Sequence, residues 1–483
     1  HPLSPLSTLN TQQQLSPLSL ATNYMVKKKC SPIINAALYR ESTRPYHAIA
    51  QPLLVPIKGA KLRLPKQLVP TPAEVVQLGP LFAGFHPVVP DNGYSNFLAA
   101  VRKRCNYHSK DRASNLIIKN SHDFINTLVP EQLEEFNWNK GVFESWNSFF
   151  GPEKQARMVA AVQNFSYVTD GDYGSKDIFV KTEALLVAHK PNWAPRVIYK
   201  GTDVYNAISG PMFKELMTRL DARYEAMTGP HRFKVAYKKT PELYVPFISH
   251  ANGEYVESDF SANDMRQCAD VMVLELALMR RLGCPEWFIR LHASTDKFTV
   301  KGRAHGLTMK LEHQLPTGVT DTTFRNTFWN SCILWSFLQH TGCKASRAIL
   351  LGDDMLAKIS GLRRNAAKTY ENIAAQAQMV AKVARHSHLV DCSFLSKSFV
   401  PRVGGEHLTV PLLGKALGRF NMRANKNQSV SDAAYMAGKS VGYAYEFRYL
   451  PEIRDIFLDR FNHEFSIVRD EKRRLDEEAF HSV

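Results

Sequence analysis

The chain is poor in the features that would mark a stapled or membrane-embedded protein. Its seven cysteines (Cys30, Cys105, Cys268, Cys284, Cys332, Cys343, Cys392) are odd in number, scattered, and never spaced as C-x-x-C. That argues against a disulfide framework and against a structural zinc site, and fits a reducing compartment. No apolar run approaches the length of a bilayer-spanning helix, and the N-terminus has neither an initiating Met nor the charged-then-apolar plan of a secretion signal. The chain is therefore expected to be soluble as given and to be one piece of a longer product. No repeat period is visible. Acidic residues are in deficit, with 45 Asp plus Glu against 61 Lys plus Arg, a formal charge of +16. Such an excess attracts polyanions over distances set by ionic screening. Nucleic acid fits it, as do a plain solubilising charge and an anionic membrane surface.

What is present can fold. With 44% hydrophobic and 11% aromatic residues in 483, the chain can bury a large core, and its length suggests two to four domains. The opening HPLSPLSTLNTQQQLSPLSLAT offers too little apolar surface to offset its ordering entropy and reads as a flexible tail or a wrapped extension. From Asn23 to about Pro72 the chain is basic and Pro-rich, the composition of an arm laid over a surface with few helices. Helical and extended patterns alternate between Ala73 and His250. YVESDF, from Tyr255 to Phe260, reads as a strand running into a buried helix that stops at Gly283. TDTTFRNTFWNSCILWSFLQHTG has apolar residues at three-to-four spacing and closes at Gly342, predicting a second helix that starts just after Thr317-Gly318. Ala366 to Arg385 is predicted as an amphipathic helix, SFLSKSFVPRV and GGEHLTVPL as a strand pair around Gly404-Gly405, and Leu412 to Val483 as mainly helical. The closing run RDEKRRLDEEAF reads as a solvated helix face.

Between these elements lies RAILLGDDMLAKI, two short apolar runs flanking Gly-Asp-Asp, the pattern of a hairpin whose turn carries two carboxylates. Adjacent like charges repel unless a cation offsets them, so Asp353 and Asp354 ask for a metal, and their hard oxygens suit Mg²⁺ or Mn²⁺. Gly-Asp-Asp alone also makes an ordinary hairpin turn. Upstream stands D-F-S-A-N-D, with Asp259 at the end of the predicted strand and Asp264 after the turn. Between the two acidic segments lies T-G-V-T-D-T-T-F-R-N.

This ordered set resembles the palm of the single-subunit RNA-dependent RNA polymerases of positive-strand RNA viruses. There motif A reads D-x-x-x-x-D (Asp259, Asp264), motif B S/T-G-x-x-x-T-x-x-x-N (Thr317, Gly318, Thr322, Asn326) and motif C G-D-D (Gly352, Asp353, Asp354). Lys181, Glu183, Lys190 and Arg196, in the pattern K-x-E…K…P-R-x-I, are similar to motif F of the same family. The PRVI and TGVTDTT segments are most similar to tombusvirus-like and nodavirus-like members.

The resemblance implies an α+β right hand. An N-terminal extension (1–72) precedes fingers (73–250), a palm (251–402) of antiparallel strands backed by helices with a fingers insertion at about 284–312, and a thumb (403–483). It implies template-directed RNA synthesis that replicates a viral genome, with Asp259 and Asp353 holding two Mg²⁺ (or Mn²⁺) ions and Asp354 assisting. Asp264 and Asn326 would read the ribose 2′-hydroxyl. Thr317, Gly318 and Thr322 would form the loop that supports the template base, and Lys181, Glu183, Lys190 and Arg196 would line the nucleotide entry. Lys382, near the end of the predicted amphipathic helix, is the candidate general acid for departing pyrophosphate, with His386 and His388 as neighbours able to serve. Lys397 is placed to touch the primer backbone. Implied partners are template and product RNA, ribonucleoside triphosphates, and other viral replication or capsid proteins. The implied setting is the host cytoplasm, in replication complexes or with the virion. A reverse-transcriptase-like polymerase is the rival in the same chemistry, but it needs a bulky residue where Asp264 stands. A basic RNA-packaging protein that retains the fold is the rival of another class, for which metal ligands serve no purpose.

Overall fold

The computed structural model describes residues 46–50, 57–63, 75–79, 88–107, 111–163, 170–185, 193–249, 251–402, 405–424 and 430–481. Most of the predicted arm at 1–72 lies outside these residues, as do Lys190 and Gly404. The chain is a mixed α/β protein.

Its centre is a five-stranded sheet in the order Ala381–His386, Glu254–Phe260, Asp354–Ser360, Ala345–Leu351, His231–Val235. Side chains alternate across a strand, so each strand serves two cores. Val256, Phe260, Met355, Ala357, Ala348 and Leu350 face a large core that also takes in the helix Thr322–Thr341. Tyr255, Leu356 and Ile349 face a second core, with Tyr244 and Ile248 from the helix Pro241–Ser249 and with Cys392, Phe394 and Phe399. The helix Thr322–Thr341 is buried at every residue from Phe324 to Leu338. A helix buried on all sides can only be central. It ends at Gly342, whose φ of 62° is the left-handed cap that glycine adopts without penalty.

The strands of 251–402 in this sheet pair antiparallel, and His231–Val235, from the segment before them, adds in parallel to Ala345–Leu351. Parallel pairing requires a long crossover connection, and the chain between Val235 and Ala345 supplies one. The helix predicted to reach Arg385 stops at Gln376, and Ala381–His386 is a strand. Gln378 takes a left-handed φ of 63°, which ends the helix, and the free edge of Glu254–Phe260 then captures the following residues. Tertiary pairing overrides the amphipathic pattern.

A second sheet runs Ala60–Leu62, Leu307–Glu312, Lys297–Gly302, Lys176–Val180, Val197–Gly201. It joins the hairpin at 176–201 to the chain inserted between the strand Glu254–Phe260 and the helix Thr322–Thr341. Ser393–Phe394, Lys397–Pro401 and His407–Pro411 form a three-stranded sheet, one strand more than the predicted pair. Lys397 in it is ion-paired to Glu446 at 2.6 Å. The helices Leu413–Phe420, Asp432–Glu446 and Pro451–His481 follow around a core of Phe420, Met436, Phe447 and Phe457, and the last of them contains the RDEKRRLDEEAF run. The early strand Val75–Gln77 pairs with Met422–Ala424, and the fully buried Arg460 guanidinium donates to the Leu78 carbonyl at 2.7 Å. An early segment is thereby tied to the C-terminal helices.

The strand Glu254–Phe260 is entered through Gly253, at φ 121°, where an added Cβ would stand 2.0 Å from the carbonyl oxygen of Ile359. Gly253→Ala is expected to destabilise the protein by on the order of 2–3 kcal/mol, read as a lowered unfolding midpoint. An unchanged midpoint would show that this turn is not strained as described.

Candidate active site

The site is built at one end of the central sheet. Leu351 and Asp354 close the hairpin as its last pair, leaving Gly352 and Asp353 as the turn. Two-residue hairpins favour a positive φ at the first turn position, and Gly352 supplies 63°. The turn is clamped from below by the helix Thr322–Thr341. The Gly352 N–H donates to the Thr327 hydroxyl at 2.8 Å, and the Asn330 amide donates to the Asp353 carbonyl at 3.0 Å. Thr327 and Asn330 are both buried. In the sequence they look like interruptions of an apolar helix, and only their spacing of three residues places them on one side of it.

Strand register then aligns the charges. Met355 pairs with Ser258, so one step further along the ladder Asp354 stands opposite Asp259. On the other side of the same strand Lys382 pairs with Asp259. Lys382, Asp259 and Asp354 therefore form a row on one face, at the roughly 5 Å spacing of cross-strand neighbours. Lys382 is not on a helix as predicted but on the edge strand. The row lines a cleft of about 410 Å³, with Glu257, Ser393, Ser396 and Leu412 among its other walls.

None of Asp259, Asp353 and Asp354 has an ion-pair partner among the described residues, and the acids feel one another. Loss of bulk water in this concave setting, then the charges of Asp354, Asp264 and Asp259, push the Asp353 carboxyl up to about 6. Asp354 is raised by loss of water and by Asp259, against the pull of Lys415. The three carboxylates are more widely spread than two other donor groups of the described residues, Glu257–His386–Cys392 and Glu275–His292–Asp321, whose atoms lie within 4.8 Å of one another. Uncompensated hard oxygens with room between them fit divalent cations of the Mg²⁺ type.

The second acid of the segment is turned away from this row. Ala262 adopts a left-handed φ of 54°, which re-aims the chain into the short 3₁₀ turn Asn263–Arg266. There Asn326 donates to Asp264 at 2.8 Å, and the Thr317 hydroxyl donates to the other carboxylate oxygen. Loss of water raises the Asp264 carboxyl, while the bonds from Thr317 and Asn326 oppose the rise. Gln267, almost fully buried and not anticipated from the sequence, holds Asn326 by donating to its carbonyl oxygen at 2.8 Å. The Thr317 carbonyl accepts from the Tyr199 N–H at 3.1 Å, which docks this loop on the second sheet. Gly318 sits at φ 96°, and its N–H donates to the Thr322 hydroxyl at 3.2 Å.

On the second sheet, Arg196 donates to Glu183 at 2.6 Å and the Lys181 ammonium lies 3.4 Å from the same carboxylate. Loss of water works to raise Glu183, but the two cations hold it below its ordinary value. Lys190 lies outside the described residues. Lys415, on Leu413–Phe420, donates to the Ser396 hydroxyl at 2.8 Å and feels the charges of both Arg196 and Asp354. Its only signal in the sequence is a basic Lys415/Arg419 pair at helical spacing.

A family model described as RNA dependent RNA polymerase matches residues 83–446. No curated protein matches the chain.

The crowding of acids has a pH signature. Asp353 holds its proton to about 6 in the folded protein against an ordinary 3.8, so protonation favours the folded form and that contribution is lost as pH rises through this window. Without divalent ions, the unfolding midpoint of the wild type is expected to fall relative to Asp353→Asn between about pH 4 and pH 6, and to run parallel to it above. Parallel curves throughout would contradict the rise that loss of water and the neighbouring acids impose on Asp353.

Proposed function

The chain belongs to the RNA-dependent RNA polymerase family, and from that premise we propose that it replicates a viral RNA genome by extending an RNA 3′ end with ribonucleotides at a two-cation site on Asp259, Asp353 and Asp354. The enzyme is an RNA-directed RNA polymerase, and binding of RNA and nucleoside triphosphates follows from that activity. The observation that carries this proposal is the adjacency across one strand pair of Asp259 and Asp354, neither of them ion-paired among the described residues, beside the bonded Asp264–Asn326 unit. No helix among the described residues is long and apolar enough to cross a membrane.

In this reading the central sheet and the helices Thr322–Thr341 and Ala366–Gln376 are the palm, to which the fingers segment (73–250) lends His231–Val235. The second sheet belongs to the fingers together with the insertion, and residues 403–483 form the thumb. Bound divalent ions supply charge neutralisation and activation of the attacking 3′-hydroxyl. Asp259 and Asp353 hold them, and Asp354 strengthens the local negative potential. The Asp264 carboxylate and the Asn326 amide keep further acceptor and donor capacity for a ribose 2′-hydroxyl, a bond that a deoxynucleotide cannot make. Thr317, Gly318 and Thr322 carry the template-side loop, whose positive-φ glycine lets backbone approach a base closely. Lys181 and Arg196, braced by Glu183, meet the triphosphate, with Lys190 assigned to the same entry. Lys382, directly across from Asp259, is the proton donor for the leaving pyrophosphate.

Primer extension on an RNA template with Mg²⁺ tests this. Asp353→Ala is expected to abolish ribonucleotide incorporation with folding intact, whereas undiminished incorporation would sink the site assignment. Asn326→Ala is expected to lower the preference for ribonucleotides over deoxynucleotides by about tenfold or more. Lys382→Ala is expected to slow elongation and alter its pH profile, and an unchanged profile removes it from the role.

A further inference from the structure

The central sheet carries a second set of donors, His386 among them, to which the proposed reaction assigns no role, since Lys382 is its proton donor. Glu257 lies on the same strand and the same face as Asp259, two residues before it. His386 is the last residue of the neighbouring strand, paired with Tyr255 and so diagonal to Glu257 on that face. Cys392 follows the short 3₁₀ turn Leu389–Asp391, which brings the chain back against the sheet. Their oxygen, nitrogen and sulfur atoms lie within 4.8 Å of one another, and the His386 Nε2 to Glu257 Oε1 separation is 3.7 Å. A tetrahedral ion with bonds of about 2.0–2.3 Å sets its ligands roughly 3.3–3.8 Å apart, so a small closure suffices.

Two further observations point at a ligand. His386 Nε2 is buried and has no hydrogen-bond partner, an arrangement native proteins rarely tolerate. Glu257 accepts from the Ser393 N–H and has no lysine or arginine ion-paired to it among the described residues. The Glu275–His292–Asp321 cluster is the contrast. There Arg325 already sits 2.8 Å from Glu275 and 3.3 Å from Asp321, so the protein supplies its own cation.

We propose that Glu257, His386 and Cys392 bind a Zn²⁺ ion, distinct from the cations of the polymerase reaction. One carboxylate, one neutral imidazole and one thiolate balance the charge of Zn²⁺, and the thiol proton passes to solvent on binding. The sulfur and nitrogen donors select this ion over Mg²⁺. Glu257 and Ser393 also line the cleft, so water completes the coordination from that side. The ion pins the 386–393 connection to the sheet and so fixes the Ser393–Ser396 wall beside Asp259. The absence of C-x-x-C hides such a site, because strand pairing rather than local spacing assembles it.

The test is zinc content by mass spectrometry of the full chain, purified with zinc and dialysed against a mild chelator. About one zinc per chain is expected in the wild type and in Asp353→Ala, with loss in His386→Ala and Cys392→Ser. Substitution of the wild type with Co²⁺ is expected to give a near-ultraviolet sulfur-to-cobalt band, which is absent in Cys392→Ser and needs no comparison of variant folding. A wild type that loses its zinc on dialysis, zinc kept by Cys392→Ser, or cobalt without the sulfur band overturns the proposal.

Discussion

Repulsion among carboxylates gathered at one end of a sheet is the constraint around which this protein is organised. Asp259 and Asp354 face each other across a strand pair, Asp353 stands on the adjoining turn, and Asp264 is close enough to raise Asp353 further. None of the first three has an ion-pair partner among the described residues, and Lys415 only partly offsets Asp354. The structure resists by fixing backbone rather than pairing charge, and the open charges remain available to cations from outside.

The fixing is done by buried polar groups on one helix. Thr327 and Asn330 grip the backbone of the Gly352-Asp353 turn, while Asn326, on the next side of the helix, grips Asp264. One residue before Asn326, Arg325 binds Glu275 and Asp321 with all three side chains almost fully buried. Breaking a buried pair of this kind costs about 3–5 kcal/mol, so the helix is locked in rotation about its axis. Asp321 also accepts from the Tyr205 hydroxyl at 3.2 Å, which ties the loop at 317–321 to the long helix Asp203–Glu225. One helix thus sets the position of the turn, the second acid and the loop together.

The sequence discloses the parts of this arrangement that are local. The Gly-Asp-Asp hairpin is readable because a two-residue turn and its flanking apolar runs are contiguous, and the helix before it because its apolar spacing and Gly342 cap are. The meeting of Asp259 with Asp354, and of Asp264 with Asn326, was legible only through their resemblance to ordered family motifs, since separation in sequence says nothing of distance. What stayed hidden was decided by strand edges. Ala381–His386 carries a helical pattern and becomes a strand because the edge of Glu254–Phe260 is free to take it. His231–Val235 and Val75–Gln77 find partners more than a hundred residues away. Thr327, Asn330 and Gln267 are polar residues in buried positions, and only the structure reveals the groups they satisfy.

The claim that distant acids share one set of cations is open to a direct measurement. Mn²⁺ binding to the full chain, followed by electron paramagnetic resonance, can be compared among the wild type, Asp259→Asn, Asp353→Asn and the double variant. If both side chains hold the same ions, each single change weakens binding by about tenfold or more and the double change costs less than the sum of the two. Single variants that bind Mn²⁺ as the wild type does, or losses that simply add, would contradict the account.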